Sequence, residues 1–170
     1  KDNGGTAGGG QDTFTRQFTV TVTPINDAPT LNTLTNLTIL EDAAQQIVNL
    51  SGISFGPTNE SQVLTITATS DKPALIPNPS VSYTSPGVTG SLAFKPVAET
   101  SGTAIITVSV KDNGGTAGGG QDSISRQFTV NVTPVNDKPT LDRISDLTIP
   151  ENAPQQSVSV TGITTGSPPE

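Results

Sequence analysis

The side chains that could do chemistry in this chain are carboxylates, and they come without the partners most chemistry needs. The 170 residues hold 15 Asp and Glu against 8 Lys and Arg, a net charge of −7, with no His and no Cys. Lacking His, the chain lacks the usual general base and the usual transition-metal ligand. Serines and threonines are abundant, but no imidazole is available to activate one as a nucleophile. The carboxylates are scattered at turns, so a paired-carboxylate hydrolase has no support, and the chain does not read as an enzyme. The absence of Cys excludes disulfides and thiol chemistry. No basic patch could neutralise phosphates, which argues against nucleic acid as a partner. No apolar run approaches the length of a membrane span, so this segment is not expected to insert into a membrane.

Two glycine-rich and lysine-based possibilities need weighing. Gly114-Gly115-Thr116-Ala117-Gly118-Gly119-Gly120-Gln121-Asp122 could suggest a phosphate-cradling loop, but a strand follows where such a loop needs a helix. A calcium-binding glycine-rich nonapeptide array would need tandem copies, and only one partial copy occurs per repeat. The segment reads as a flexible hairpin loop, and its near-identical copies read as a mark of duplication. A Lys–Asn crosslink between strands would have to use Lys72, Lys95 or Lys111, and nothing else in the pattern favours one.

The elements that carry these residues are organised by repetition. KDNGGTAGGGQD at 1–12 recurs unchanged at 111–122, an offset of 110 residues. The match runs on: RQFTVTVTPINDAPTLN (16–32) aligns with RQFTVNVTPVNDKPTLD (126–142). The chain therefore divides into 1–26, the C-terminal end of one repeat; 27–136, a complete repeat; and 137–170, the N-terminal part of the next. A period of this size suits one immunoglobulin-sized sandwich and is too long for a solenoid coil. Because the chain has no Met and begins inside a motif, it reads as an excerpt of a longer secreted protein.

Inside the repeat, apolar and polar residues alternate as half-buried strands require. Phe128, Val130 and Val132 alternate with Thr129, Asn131 and Thr133. Ile106, Val108 and Val110 form a second such set, Leu64, Ile66 and Ala68 a third, and Leu92 with Phe94 a fourth. Leu34–Ile39, Gln46–Leu50 and Val81–Thr84 are further candidates. Turns fall between them, at Asn113-Gly114, Ser85-Pro86-Gly87, Asp71-Lys72-Pro73 and Ser101-Gly102. The expected class is all-β: seven or eight antiparallel strands in a Greek-key sandwich, with Phe94, Ile106, Val108, Phe128 and Val130 in the core. The terminal pieces should form a closing hairpin in 1–26 and two opening strands in 137–170, and alone neither should bury enough surface to be stable. The linker, Thr133-Pro134-Val135-Asn136-Asp137-Lys138-Pro139, has two prolines and little slack, so sandwiches should stack end to end into a stiff rod.

The order and spacing of three motifs carry a family resemblance. Val108-Ser109-Val110-Lys111-Asp112-Asn113-Gly114-Gly115, the strand at Phe128–Val132, and Val135-Asn136-Asp137-Lys138-Pro139 together resemble the closing half of a cadherin repeat. Ile149-Pro150-Glu151-Asn152-Ala153-Pro154 resembles the cadherin opening motif. The long period resembles the cadherin-like tandem repeats of large bacterial surface adhesins and fibre proteins. The resemblance implies tandem immunoglobulin/cadherin-like sandwiches with calcium at the joints. At the lower joint it implies Glu41, Glu99, Asn136 and Asp137 as ligands, with Glu170 added from the next repeat. At the upper joint it implies Asn26 and Asp27 meeting Glu60 and Asp112. The sequence also departs from the pattern. Pro134 stands where an acidic residue precedes the linker Asn. Ala98-Glu99-Thr100 carries one acid where the pattern has two. Thr58-Asn59-Glu60 and Ser167-Pro168-Pro169-Glu170 replace paired aspartates. Each joint thus has fewer carboxylates than a cadherin joint.

Each residue also has a plainer reading. Asn136-Asp137 before a proline is a good turn, and Asp112 with Asn113-Gly114 is a good hairpin turn. Glu41 and Glu99 could simply be solvated turn residues. On balance the chain is expected to be an extracellular or cell-surface structural module of an adhesin or fibre. Its partners would be neighbouring repeats of the same chain and other copies in a filament. A carbohydrate- or protein-binding module and a non-catalytic spacer of a secreted enzyme are the alternatives. A sugar site would normally show exposed aromatics, and the chain has one Tyr, Tyr83, and no Trp.

Overall fold

The computed structural model describes residues 1–57 and 60–166. Glu170, the rest of Ser167–Pro169, and Thr58-Asn59 lie outside the described residues. Seven strands form: β1 (Leu37–Leu40), β2 (Gln46–Ser51), β3 (Thr65–Ser70), β4 (Ser80–Ser82), β5 (Thr89–Phe94), β6 (Gly102–Lys111) and β7 (Ser123–Thr133). All lie within residues 27–136. The only other regular elements among the described residues are two short 3-10 turns, Ala7–Gly9 and Ala117–Gly119. They fold into two sheets, one ordered β1-β7-β6-β3 and the other β2-β5-β4. The protein is an all-β, immunoglobulin-like sandwich with Greek-key crossovers between its sheets.

The alternation in the sequence becomes the sandwich interior. β6 is a run of Thr, Ile and Val, residues whose branched side chains suit a pleated surface. Its inward phase, Ala104, Ile106, Val108 and Val110, is fully buried. β7 faces it in antiparallel register, with Ile106 opposite Phe128 and Ala104 opposite Val130. From the other sheet, Leu50, Leu92 and Phe94 close the core, and the rings of Phe94 and Phe128 lie 6.5 Å apart. Near one pole the inward phase of β7 turns polar at Arg126, whose Nε–H donates to the Leu31 carbonyl at 3.2 Å. The five core residues expected from the sequence are all buried.

Two expectations are corrected. The sandwich is not wholly antiparallel, because β1 runs parallel to β7, from Leu37 beside Val130 to Leu40 beside Thr133. First and last strands that run the same way bring the chain in at one pole and out at the other. The second correction concerns the ends. Among the described residues, neither 1–26 nor 137–166 forms a strand, and the sole pairing in the latter is a bridge between Thr140 and Thr164. β7 is held by β6 on one side and β1 on the other. Its counterpart at 13–23 has neither beside it, so its backbone groups find no ladder. The side chains show the same contrast: Phe18 is 89% exposed where Phe128 is 2%, and Val22 is 85% where Val132 is 2%.

This contrast is directly measurable. Phe128→Ala should cost about 3–5 kcal/mol in urea unfolding of the full chain, the range for a large buried aromatic. Phe18→Ala, the same change at the same place in the repeat, should stay within about 0.5 kcal/mol. Equal effects would show that the two copies are packed alike.

Candidate functional site

The residues singled out by the sequence gather at the two poles of the sandwich. At the upper pole the organising side chain is Asp112, which follows β6 directly and is buried. Its Oδ1 accepts the Gly114 N–H at 2.9 Å, closing a local turn. The same oxygen accepts the Asn26 Nδ2–H at 3.1 Å. Asn26 belongs to the linker, and its amide also donates to the Gln121 carbonyl at 2.6 Å. In return the Gln121 N–H donates to the Asn26 carbonyl at 2.9 Å. One residue on, the Asp27 N–H donates to Glu60 Oε1 at 3.0 Å. All four residues expected at this joint, Asn26, Asp27, Glu60 and Asp112, therefore meet.

Gln62 joins them, and sequence reasoning missed it. Its Nε2–H donates to Asn26 Oδ1. Its only signal in the sequence was nearness: it stands two residues after Glu60. Three oxygens here, Glu60 Oε2, Gln62 Oε1 and Asp112 Oδ2, are buried with no hydrogen-bond partner in the protein. A buried polar atom left unpaired costs about 1–3 kcal/mol, so three in one place form an unusual arrangement. At the neck of the adjoining loop, Lys111 pairs with Asp122 at 3.2 Å. The hydrogen bond from Lys111 holds the Asp122 carboxyl below the usual Asp range. The pair therefore helps the folded state above that range and its help is lost as pH falls through the lowered value. Its exposure keeps that help small.

The lower pole is assembled differently. Glu41, directly after β1, is buried. Its N–H donates to the Thr133 carbonyl at 2.9 Å, and its Oε1 accepts the Val135 N–H at 2.7 Å. Glu41 thus clamps the linker as it leaves β7. Glu99 does not join it by any hydrogen bond. Exposed and at a positive φ of 58°, its N–H donates instead to Oδ1 of Asp42 at 3.3 Å. Asn136 donates its Nδ2–H to the Asp137 carbonyl at 3.1 Å. Beyond it the opening clasp of the repeat recurs: Thr140 N–H to the Thr164 carbonyl at 3.2 Å and Thr140 Oγ1–H to the Gly162 carbonyl at 2.7 Å. The first copy makes the same two bonds, from Thr30 to the carbonyls of Ser54 and Gly52, at 2.8 and 2.6 Å. Among the described residues no three carboxylates converge closely enough to hold a metal by themselves. Any cation here would need amide and carbonyl oxygens as well, as the thin carboxylate count implied.

Comparison with known proteins adds little. No family model matches the chain, and no curated protein matches it. Among solved structures, domains 4 and 5 of the S-layer protein SbsC match at 20% identity over 61% of this chain and 53% of that one, with a TM-score of 0.38. Titin domains z1z2 in complex with telethonin match at 19% identity over 71% and 55%, again at 0.38. SbsC domains 5–6 match at 20% identity over 74% and 58%, at 0.37. The chain spans a little over half the length of each of these structures. At such scores the likeness says nothing about function. No helix among the described residues is long and apolar enough to cross a membrane.

The clamp at the lower pole yields a prediction. Glu41→Ala removes the acceptor for Val135 N–H and should cost about 1–3 kcal/mol of local stability, read as faster amide exchange at Val135. Glu41→Gln keeps an acceptor oxygen and should restore most of the protection. Unchanged exchange in Glu41→Ala would show that the prolines alone hold the linker.

Proposed function

We propose that this chain is part of an extracellular, cadherin-like tandem-repeat array in a surface adhesin or fibre, with calcium at the joints between repeats. In this reading residues 27–136 are one complete repeat, 1–26 the end of the preceding one, and 137–170 the start of the next. The apolar phases left exposed at Phe18, Val20 and Val22, and at Leu147, Ile149 and Val158, would then be core positions of those neighbouring repeats. Their counterparts Phe128, Val130 and Val132 are buried in the complete one. The work of such a module is mechanical: to set spacing and direction along a rod.

The observation that carries the calcium reading is the set of three buried, unpartnered oxygens at the upper joint. Glu60, Gln62 and Asp112 would hold the ion there, with Asn26 and Asp27 supplying the linker side. Calcium favours six to eight hard oxygens, and carboxylate, amide and carbonyl donors all qualify. Bound, it would supply the positive charge that the buried carboxyl oxygens lack. Both linker residues are already tied to the repeat by Asp112 Oδ1 and Glu60 Oε1, so little rearrangement is needed. At the lower joint Glu41, Glu99, Asn136, Asp137 and Glu170 would act together.

Calorimetric titration of calcium into the chelator-treated chain is the test. Heat should appear, and the part due to the upper joint should be lost in Asp112→Asn and Gln62→Ala, which remove a charge and an oxygen from that joint. No heat in the wild-type chain, or full heat in both variants, would contradict the calcium reading.

A further inference from the structure

The glycine-rich loop 112–122 stood apart from every function weighed above, yet its glycines fall into two groups. Gly115, Gly118 and Gly119 have φ values of 79°, 67° and 93°, a backbone region that side chains rarely adopt. Gly114 and Gly120 have no such φ, and their backbones would suit any residue. What they lack is room. A Cβ on Gly114 would collide with the carboxamides of Asn26 and Gln62. A Cβ on Gly120 would lie 3.0 Å from Asn26 Cβ and 3.1 Å from the Asn26 carbonyl oxygen, and also 3.1 Å from the loop's own Gly115 carbonyl oxygen, as a Cβ on Gly10 would lie 3.2 Å from that of Gly5. Around the same residue stand the bonds already described, to Asp112 Oδ1 and to both backbone groups of Gln121.

The identical loop at 1–12 offers an internal comparison. It keeps its own bonds: Asp2 N–H to the Asp12 carbonyl at 2.8 Å, Gly4 N–H to Asp2 Oδ1 at 2.9 Å, and Gly10 N–H to the Ala7 carbonyl at 3.4 Å. The corresponding bonds in the second loop are 2.9, 2.9 and 3.2 Å. Its glycines repeat the division, with Gly5, Gly8 and Gly9 at positive φ and Gly4 and Gly10 without. At Gly4, however, a Cβ would meet only the loop's own Asp2 Oδ1, at 3.2 Å. The loop therefore takes its shape without an asparagine against it. A receptor formed in advance loses little entropy when its partner docks.

We infer that the glycine-rich hairpin of each repeat is a preformed socket for the linker asparagine of the repeat before it. The partner is a short Asn-Asp segment, read by two backbone bonds, one carboxylate and the space above two glycines. The socket needs no ion, so this inference goes beyond the calcium reading and stands or falls separately from it.

The test is amide hydrogen exchange by NMR on the full 170-residue chain in excess chelator. Gln121 N–H should exchange at least ~10-fold more slowly than Gln11 N–H, its counterpart in the first loop. Gly114→Ala should abolish that difference while Asp112 N–H, which reports the loop's own fold, stays protected. Gly4→Ala should leave Gln121 unchanged. If Gly114→Ala also exposes Asp112 N–H, Asn26→Ala decides, since it leaves the loop's own residues intact: loss of Gln121 protection supports the socket and its retention overturns it. Equal exchange of Gln121 and Gln11 in the wild-type chain would also overturn it.

Discussion

The β6–β7 hairpin is the constraint on which the rest of this structure depends. Its ladder runs from Gly102 opposite Val132 to Lys111 opposite Ser123 and supplies the center of the larger sheet. Its tip is the glycine-rich loop that holds Asn26, and its far end runs straight into the linker that Glu41 clamps. One hairpin therefore spans both poles. A strand of 11 residues covers roughly 36 Å at about 3.3 Å per residue, which sets the spacing between successive joints. The parallel β1, paired to the same strand, fixes where the chain enters relative to where it leaves.

Burial explains why the joints should be definite rather than loose. A linker of prolines restricts backbone angles but does not by itself choose one orientation. The upper joint adds oriented bonds: the Asn26 carboxamide is held by a buried carboxylate and by the Gln121 carbonyl, and the Asn26 backbone carbonyl by the Gln121 N–H. Bonds to a charged acceptor are worth about twice neutral ones, so the two carboxylates that accept from the linker, Asp112 and Glu60, contribute most there. The two joints are not chemically equal. The first linker reads Asn26-Asp27-Ala28-Pro29 and the second Asn136-Asp137-Lys138-Pro139, which places an ammonium next to the linker aspartate in the second only.

Much of the fold was legible because period-2 alternation survives wherever one strand face is buried. Phe128, Val130 and Val132 could be assigned inward from their spacing alone. The parallel pairing of β1 was not legible, since Leu37–Leu40 alternates the same way whichever direction its neighbour runs. That 13–23 forms no strand at all was not legible, because its sequence nearly equals that of β7, although a lone repeat end could be seen to bury too little surface to be stable. At the upper joint the resemblance grouped Asn26 and Asp27 with Glu60 and Asp112, and these four side chains and backbones do meet. Gln62 was passed over because the search there was for paired aspartates. Glu99 was grouped with Glu41 by resemblance, whereas its positive φ turns its N–H to Asp42. The glycines of the loop looked uniform in sequence, whereas three are required for their positive φ, Gly114 for the approach of Asn26 and Gln62, and Gly120 for both Asn26 and the loop's own Gly115 carbonyl.

The central claim is that successive repeats are joined in one orientation. Electron spin-echo measurement of distances between labels answers it most directly. A chain carrying two consecutive copies of residues 27–136 would be labelled at Ser80 in each copy, an exposed site at the start of β4. The account predicts one narrow distance distribution in chelator, narrowed further by calcium. A broad distribution that calcium leaves unchanged would contradict it, and would describe beads on a flexible string instead of a rod.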